Sequence, residues 1–292
     1  MKKYLIPPGF IFLIINCLSG QNLNAILDAY RGDNAKGYIN PLVDLIGANL
    51  NTGRSEWASL DSGFHVRISA IGSASFPASK MKVFNATTEE TFSPSSTHTV
   101  PTVIGKNEAI TITGVNETAY TYPTGYNLQK LLMVTPQISV GSIFNTELTA
   151  RFFAYDFEGD LGKFQFFGAG FRHTVDHYIK SLPFNLNVGY MFQNLEVGDE
   201  ISITSHLPSI WLGKSGKHFS AQLMLGYQIL NGKINYTYVE GNTSEPIELN
   251  LKNDVPYMAE ISMGVKLGVV IIHAAANYSG PVAGAAGITF KF

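Results

Sequence analysis

The chain has 292 residues, of which 14% are charged, 45% are hydrophobic and 12% are aromatic, and its formal net charge at pH 7 is −2. A disordered chain would be charged and poor in aromatic residues, a coiled coil would need far more Ala, Glu, Lys and Leu, and a nucleic-acid-binding domain would carry a basic footprint. The composition excludes these three classes. It fits a transmembrane β-barrel, whose wall faces lipid on one side and water on the other.

Residues 1–20 are typical of a secretory signal peptide. Lys2-Lys3 give a positive start, Leu5 to Ile15 is an apolar run too short to cross a bilayer as a helix, and Leu18 to Gly20 offer small residues for cleavage. The single cysteine, Cys17, lies inside this segment, so we expect a mature chain without disulfides or thiolate metal sites. A short N-terminal membrane anchor and lipoprotein processing at Cys17 are the alternatives.

Residues 21–60 predict a separate helical segment. Apolar residues recur there at spacings of three and four, which is the helical period, and Gly32, Gly37 and Pro41 predict breaks into two or three short helices. Such a segment before a barrel is expected to plug the lumen or to cap it, and the sequence leaves open whether it lies inside or beneath the barrel. The residues expected to make the plug contacts are Leu27, Tyr30, Tyr38, Pro41, Leu42 and Ile46.

Residues 61–292 predict the barrel itself. From Gly63 to Phe76 apolar and polar residues alternate with a period of two, which is the pattern of a strand with one apolar face. Further runs of about ten residues, the length that a tilted strand needs to cross the hydrocarbon layer, follow along the chain. The ten expected strands lie near 63–76, 128–142, 145–157, 161–173, 184–197, 200–213, 218–238, 255–267, 269–279 and 284–292.

Connections between these strands predict the orientation of the barrel. The connections near Gly141-Ser142, Gly213 to Gly216 and Gly268 are short and are expected on the periplasmic side, whereas 77–127 and 239–254 are long and are expected outside. Alternation from Ala109 to Val115 indicates a further hairpin, so about twelve to fourteen strands are possible.

The chain resembles bacterial outer-membrane β-barrel proteins, and among them an uncharacterised family with N-terminal helices. The residues that carry this resemblance are Pro136-Gln137, Thr146-Glu147-Leu148 with Arg151, Gly168 to His173, Leu182-Pro183 and Ile288 to Phe292. The resemblance implies an all-β, antiparallel up-and-down barrel in the bacterial outer membrane. It also implies that the C-terminal strand, with Phe290 and Phe292, is the signal read by the barrel-assembly machinery.

A more distant resemblance is to FadL-like transporters of hydrophobic compounds. It is carried by the run Tyr38-Ile39-Asn40-Pro41-Leu42, which is similar to the helical hatch of that family. Transporters of that type have more strands than the ten counted here, and this difference puts transport by the same lateral route in doubt.

Charged side chains on the wall strands are expected to face the lumen, because a charge that faces lipid near the midplane costs roughly 2–4 kcal/mol. Alternation assigns seven such residues: His65, Arg67, Glu147, Arg151, Glu260, Lys266 and Lys291. They predict either an internal salt-bridge network that fills a narrow barrel or a polar constriction that selects a solute.

The leading functional hypothesis is a passive outer-membrane channel or transporter for a small hydrophobic or amphipathic solute, gated by the N-terminal helices. The alternatives are a structural or adhesion barrel that acts through its 77–127 loop and, least favoured, a lipid hydrolase using histidines such as His173, His177 or His206. No catalytic motif, metal cluster or phosphate-binding loop is recognisable, so we expect no enzyme activity and no cofactor. The expected partners are outer-membrane lipid and the assembly machinery, and no nucleic acid.

Overall fold

A computed structural model describes most of the chain. The described residues are 30, 32–60, 63–88, 92–156, 163–179, 182–240 and 243–292. The expected signal peptide, the start of the expected plug and its candidate Leu27 lie outside them. No helix among these residues is long and apolar enough to cross a membrane.

One α-helix, two short 3-10 helices (Ser79–Lys82 and Val115–Glu117) and sixteen strands make up the regular secondary structure of the described residues. Helix α1 spans Gly32–Asn51. The strands are β1 (His65–Phe76), β2 (Val83–Thr87), β3 (Thr97–Pro101), β4 (Ile110–Thr113), β5 (Ala119–Tyr122), β6 (Leu131–Ile143), β7 (Thr146–Asp156), β8 (Lys163–Thr174), β9 (Asn185–Val197), β10 (Ile201–Ser215), β11 (Phe219–Tyr227), β12 (Ile229–Glu240), β13 (Thr243–Lys252), β14 (Tyr257–Leu267), β15 (Val270–Tyr278) and β16 (Val282–Lys291).

Ten of these strands form a closed antiparallel barrel. The ring runs β1, β6, β7, β8, β9, β10, β11, β14, β15 and β16, and it closes because β16 pairs with β1. All ten lie where the alternating pattern predicts strands, so the expectation of an up-and-down barrel of about ten strands is confirmed. The first strand begins and the last strand ends at one end of the barrel, which we name the terminus end. The opposite end is the loop end.

Strands β12 and β13 lengthen one side of the barrel at the loop end. Strand β12 continues β11 beyond Gln228 along β10, and β13 pairs with β12 before the chain turns into β14. The expected long loop at 239–254 is therefore wrong for its described part, which is largely strand. Leu249 and Leu251 are buried there in the same apolar cluster as residues of α1, so this strand gains its apolar contacts from the plug and not from lipid.

The outer face of the barrel is apolar over the height of a membrane. On β14 the side chains of Tyr257, Ile261, Met263 and Leu267 are more than half exposed, while the residues between them are mostly buried in the lumen. Eleven residues from Tyr257 to Leu267, tilted as barrel strands are, span roughly 25 Å along the barrel axis. This band has the height of the lipid-facing surface of an outer-membrane barrel.

Helix α1 runs unbroken through Gly37 and Pro41, so the expected breaks at these two residues are wrong. A Cβ at Gly37 would lie 2.5 Å from the ring of Phe84, which explains the glycine by close packing and not by a bend. Proline removes one backbone hydrogen bond from a helix. Here the surrounding barrel and cap hold the helix, so this local cost does not break it.

Residues 77–88 and 92–127 fold as a cap over the loop end. Strands β2 and β3 form one hairpin and β4 and β5 form another, and neither hairpin joins the barrel sheet. The expected hairpin near Ala109 to Val115 is thus present, but the barrel count remains ten. The cap packs on α1 through an aromatic cluster, whose members include Tyr30, Tyr38, Phe84, Tyr120 and Tyr122.

Candidate functional site

Residues 45–59 pass through the lumen from the loop end to the terminus end. Near the loop end the carbonyl of Leu45 accepts a hydrogen bond from Ser75 of β1 at 2.9 Å. Halfway down, Asn51 donates to Ser205 of β10 at 2.8 Å. Close to the terminus end, Ser215 of β10 bonds to Ser59 at 2.8 Å. The segment also contacts strands on opposite walls, since it bonds to β6, β9, β11, β14 and β15 as well. It is therefore a plug inside the barrel and not a cap beneath it.

Polar side chains of the wall satisfy the backbone of this plug. After α1 ends, the chain from Thr52 to Leu60 has no regular secondary structure and is mostly buried, so its backbone groups need hydrogen-bond partners other than those of a helix or sheet. Wall side chains supply them. The bonded pairs are Glu260 with the Gly53 amide, Gln137 with the Arg54 carbonyl, Gln222 with the Ser55 carbonyl, Arg172 with the Trp57 carbonyl, Ser220 with the Ala58 amide and Asn187 with the Ala58 carbonyl; within the last turn of α1, Arg151 also donates to the Leu50 carbonyl.

A buried ionic cluster ties the plug to the wall near the terminus end. The guanidinium of Arg67 on β1 donates to Glu56 of the plug at 3.0 Å and to Glu147 of β7 at 2.7 Å. Glu147 also bonds to His65 at 3.1 Å and to Arg172 at 3.4 Å. All five side chains are at most 6% exposed. Each buried carboxylate thus has a cationic partner, as burial of charge requires.

A second group of charges lies deeper in the lumen. Arg151 donates to Gln137 at 2.9 Å and to Gln193 at 3.2 Å. Arg54 of the plug lies over the ring of Trp211, with its guanidinium carbon 5.4 Å from the ring centroid. These contacts join the plug and several wall strands across the terminus-end half of the lumen.

The structure brings three of the seven expected lumen residues together in the ionic cluster, namely His65, Arg67 and Glu147. Arg151 and Glu260 are buried in the lumen but bind other partners. Lys266 and Lys291 are half-buried, and they lie among the last two residues of β14 and β16, close to the terminus end of the barrel.

Sequence reasoning missed three charged members of the lumen. Arg172 is only 5% exposed, and it shares the inward parity of Phe164 and Phe166 on β8, so alternation along β8 could have found it. Arg54 and Glu56 lie in the irregular part of the plug, where no period exists to assign a face.

The loop-end half of the lumen is apolar and contains a pocket. The pocket lies between one face of α1 and the wall strands, with a cavity volume of about 60 Å³. Its lining residues are Ile39, Leu42, Val43, Ile46, Asn49, Leu128, Leu131, Met133, Phe164, Leu195, Val197, Ile201, Ile203 and Ile234. Apolar clefts with very few polar groups are the usual form of binding sites for small hydrophobic molecules.

The described plug candidates divide between the cap and the pocket. Tyr30 and Tyr38 are fully buried in the aromatic cluster beneath the cap, where the Tyr38 hydroxyl donates to the Thr124 carbonyl at 2.7 Å. Leu42 and Ile46 line the pocket. Pro41 is half-buried on the same helix.

Asp44 of α1 is a buried carboxyl at the loop end, outside the membrane-spanning strands. Burial is the main cause that raises the pKa of Asp44 to about 7; the nearby carboxylate of Asp254 acts in the same direction, and the Asp254 amide and Lys80 act in the opposite direction. The Asp254 amide donates to the Asp44 carboxyl at 3.3 Å. Docking of the helix is therefore coupled to the protonation of this carboxyl.

The histidines considered for hydrolysis are dispersed. His206 bonds to Tyr190 at 2.6 Å, and Ser209 is an odd number of residues away on the same strand, so the two side chains lie on opposite faces. His173 bonds to Thr146 at 2.8 Å. Within the described ranges, no three His, Cys, Asp or Glu residues are grouped so that they could hold a metal ion.

Comparisons with known proteins identify a family and distant structural neighbours. The model of a family of unknown function, DUF6588, matches residues 1–292. No curated protein sequence matches the chain significantly.

Three solved outer-membrane barrels illustrate the structural likeness. The outer-membrane protease OmpT from Escherichia coli is 9% identical, with 80% of this chain and 99% of that chain covered and a TM-score of 0.35. Ail, the attachment invasion locus protein of Yersinia pestis, is 7% identical, with 80% and 100% covered and a TM-score of 0.21. A porin mutant from Rh. blastica is 8% identical, with 78% and 100% covered and a TM-score of 0.17. At these identities and TM-scores the likenesses carry no argument about activity.

Proposed function

We propose that this chain, which belongs to the DUF6588 family of unknown function, is a bacterial outer-membrane barrel that takes up a small hydrophobic or amphipathic compound. The observation that carries the proposal is the apolar pocket between α1 and the barrel wall. In this proposal the loop end faces the outside of the cell, and residues 32–60 are the plug that closes the path below the pocket.

The contrast with an ordinary barrel lumen supports a binding role. The interior of an outer-membrane barrel is usually polar. In this chain the inward faces of β6, β8, β9, β10 and β12 present aliphatic and aromatic side chains at the loop end. Leaving such surface uncovered costs about 25 cal/mol for each Å². An apolar guest that fills the pocket removes this cost.

The plug determines what happens below the pocket. A bound compound can reach the terminus end only if residues 52–60 move, because Glu56 and Trp57 are bonded to Arg67 and Arg172 of the wall. The proposed mechanism is thus binding at the loop end, displacement of the irregular part of the plug and release at the terminus end. It uses no catalysis and no cofactor.

Binding is tested by filling the pocket. Ile203, which is 1% exposed, lies on the lumen face of β10, and Ile210, which is 37% exposed, lies on the outer face of the same strand. We expect Ile203→Phe to lower the affinity of the protein in nanodiscs for radiolabelled 1-dodecanol at least tenfold, and Ile210→Phe to leave it unchanged. Equal effects of the two variants, or no binding above empty nanodiscs, contradict the proposal.

Passage is tested by planar-bilayer conductance. The mature chain is expected to conduct little, because the plug is bonded to strands around the lumen at the terminus end. A chain without residues 21–60 is expected to conduct steadily. If the two proteins conduct equally, the N-terminal segment does not plug the barrel.

A second candidate function is adhesion through the cap. The outward faces of its hairpins carry hydroxyl pairs, Thr87 with Thr97 at 3.1 Å and Thr111 with Thr121 at 2.9 Å. An uncharged polar surface of this kind can form hydrogen bonds with a molecule on the surface of another cell. Replacing the β4–β5 hairpin by a short Gly-Ser link tests this function, because loss of cell attachment with unchanged 1-dodecanol binding favours adhesion.

A further inference from the structure

The apolar pocket contains one polar side chain, that of Asn49. Every other residue in its lining is aliphatic, methionine or phenylalanine. Asn49 is 2% exposed, and its Nδ2 donates to the carbonyl of Leu131 at 2.8 Å. Since a carbonyl oxygen only accepts hydrogen bonds, this contact fixes the amide orientation, with the nitrogen toward Leu131 and the Oδ1 directed elsewhere.

The Oδ1 of Asn49 has no donor among the described residues. A buried acceptor without a donor destabilises the folded protein, and native proteins pair nearly all such groups. Leucine has a similar volume and would line the pocket without this cost. The neighbours in the lining cannot supply a donor from their side chains, so the donor must come from a molecule that occupies the pocket.

We propose that the pocket binds a neutral ligand with an apolar body and a single hydrogen-bond donor, such as an aliphatic alcohol, whose hydroxyl donates to Asn49 Oδ1. The inference rests on the proposed function and names the ligand class of that same pocket. A pure hydrocarbon or an ether leaves Oδ1 without a donor. An ionised carboxylate only accepts hydrogen bonds, so it meets an acceptor with an acceptor in a pocket whose lining carries no charged side chain.

The test compares three probes that share one alkyl chain: 1-dodecanol, its methyl ether and dodecanoate at pH 8. Their binding is measured by competition in nanodiscs, with empty nanodiscs as the reference for partition into lipid. For the wild-type protein we expect the alcohol to bind about tenfold more tightly than the ether, the gain from one buried neutral hydrogen bond. Dodecanoate should bind more weakly than the alcohol.

Two variants test whether the preference for the alcohol over the ether depends on the side chain of Asn49. Asn49→Leu should reduce the ratio of alcohol to ether affinity to about one, through loss of alcohol binding. Leu195→Ala, which enlarges the pocket and leaves the amide in place, should weaken both ligands and keep the ratio.

The remaining outcomes overturn either the ligand class alone or the proposed function together with it. Equal binding of alcohol and ether by the wild-type protein, or tighter binding of dodecanoate, overturns the ligand class but leaves the pocket as a binding site. Absence of binding of all three probes above empty nanodiscs overturns the proposed function as well. The wild-type ratio decides the inference even if Asn49→Leu fails to fold.

Discussion

The two halves of the lumen differ in how the plug meets the wall. At the loop end, α1 satisfies its own backbone and packs apolar side chains such as Val43 and Leu50 against an apolar wall. At the terminus end, the same segment is irregular, and the wall supplies polar side chains such as Arg172 and Gln222 to its backbone. The change occurs where α1 ends at Asn51, at the level of Ser205 on β10.

This difference in contacts gives the two halves of the lumen different roles: the terminus-end half holds the plug in place, and the loop-end half contains the pocket. Directional contacts fix the irregular segment to the wall at many points, so this half of the lumen is expected to be closed. Helix packing against a wider apolar wall is less specific, and it leaves the pocket beside Asn49. Changes in the polar half should therefore mainly affect stability and closure, whereas changes in the apolar half should affect binding.

The largest expected effect comes from removing Arg67. Arg67→Met leaves the buried carboxylates of Glu56 and Glu147 without their shared partner. Breaking one side of a buried ion pair typically costs about 3–5 kcal/mol. We expect a loss of this size in the free energy of unfolding in urea. Fluorescence reports it well, because Trp57 and Trp211 are both buried at the polar end of the lumen.

An exposed ion pair gives the matched control. Lys233 and Glu248 lie 3.6 Å apart on β12 and β13, and both are about half exposed. Pairs of this kind contribute about 0–1 kcal/mol. Lys233→Met should hardly change the unfolding free energy. A comparable loss in both variants would mean that the lumen cluster is no stronger than a surface pair.

A smaller effect is expected from crowding the plug without changing a charge. A Cβ at Gly264 on β14 would lie 2.4 Å from the backbone oxygen of Glu56, so Gly264→Ala must displace the plug. Overpacking of this kind costs typically about 1–3 kcal/mol. We expect faster proteolysis between Thr52 and Leu60 and a red shift of Trp57 fluorescence.

Gly72 on β1 is the control for this substitution. A Cβ there would meet only the Ala286 oxygen, at 3.9 Å, so Gly72→Ala should leave the plug in place. Equal proteolysis rates in the two alanine variants would show that residue 56 does not lie against β14.

The smallest effect is expected from pH at the apolar end. The pKa of Asp44 is raised to about 7 in the folded protein, against about 3.9 in an unfolded chain. Ionisation of Asp44 thus opposes folding, and stability falls as pH rises from the unfolded value through 7. Between pH 6 and pH 8 the loss is about 1 kcal/mol. Asp44→Asn should remove this part of the pH dependence, and an unchanged profile would contradict the burial of a protonated carboxyl.

The wall of the barrel could be predicted from sequence because one physical rule acts along all of it. Each membrane strand faces lipid on one side, so alternation marks its length and its inward residues. The same rule gives Arg67 and Glu147 an inward direction before any contact is known. It failed at 239–254, because Leu249 and Leu251 are buried by α1 and the cap cluster and not by lipid.

The plug could be predicted only in part. The period of its apolar residues predicts the helix. The helix-breaking effect of Pro41 was overestimated, because contacts with the barrel and the cap hold the helix together through this residue. The path of residues 52–60 carries no period, since its positions are determined by individual wall side chains such as Arg172 and Asn187. The free acceptor of Asn49 depends on its bond to Leu131, a partner 82 residues away.

The most direct test of the account is whether Asn51 lies beside β10 inside the barrel. In a Cys17→Ser background, Asn51→Cys is combined either with Ser205→Cys or with Thr204→Cys, one residue earlier on the opposite face of β10. A protease site between β7 and β8 separates the two halves of the chain unless a disulfide joins them. The account predicts that oxidation in intact cells joins residues 51 and 205, with little joining of residues 51 and 204. No disulfide with residue 205, or equal yields for both pairs, would contradict a plug inside the lumen.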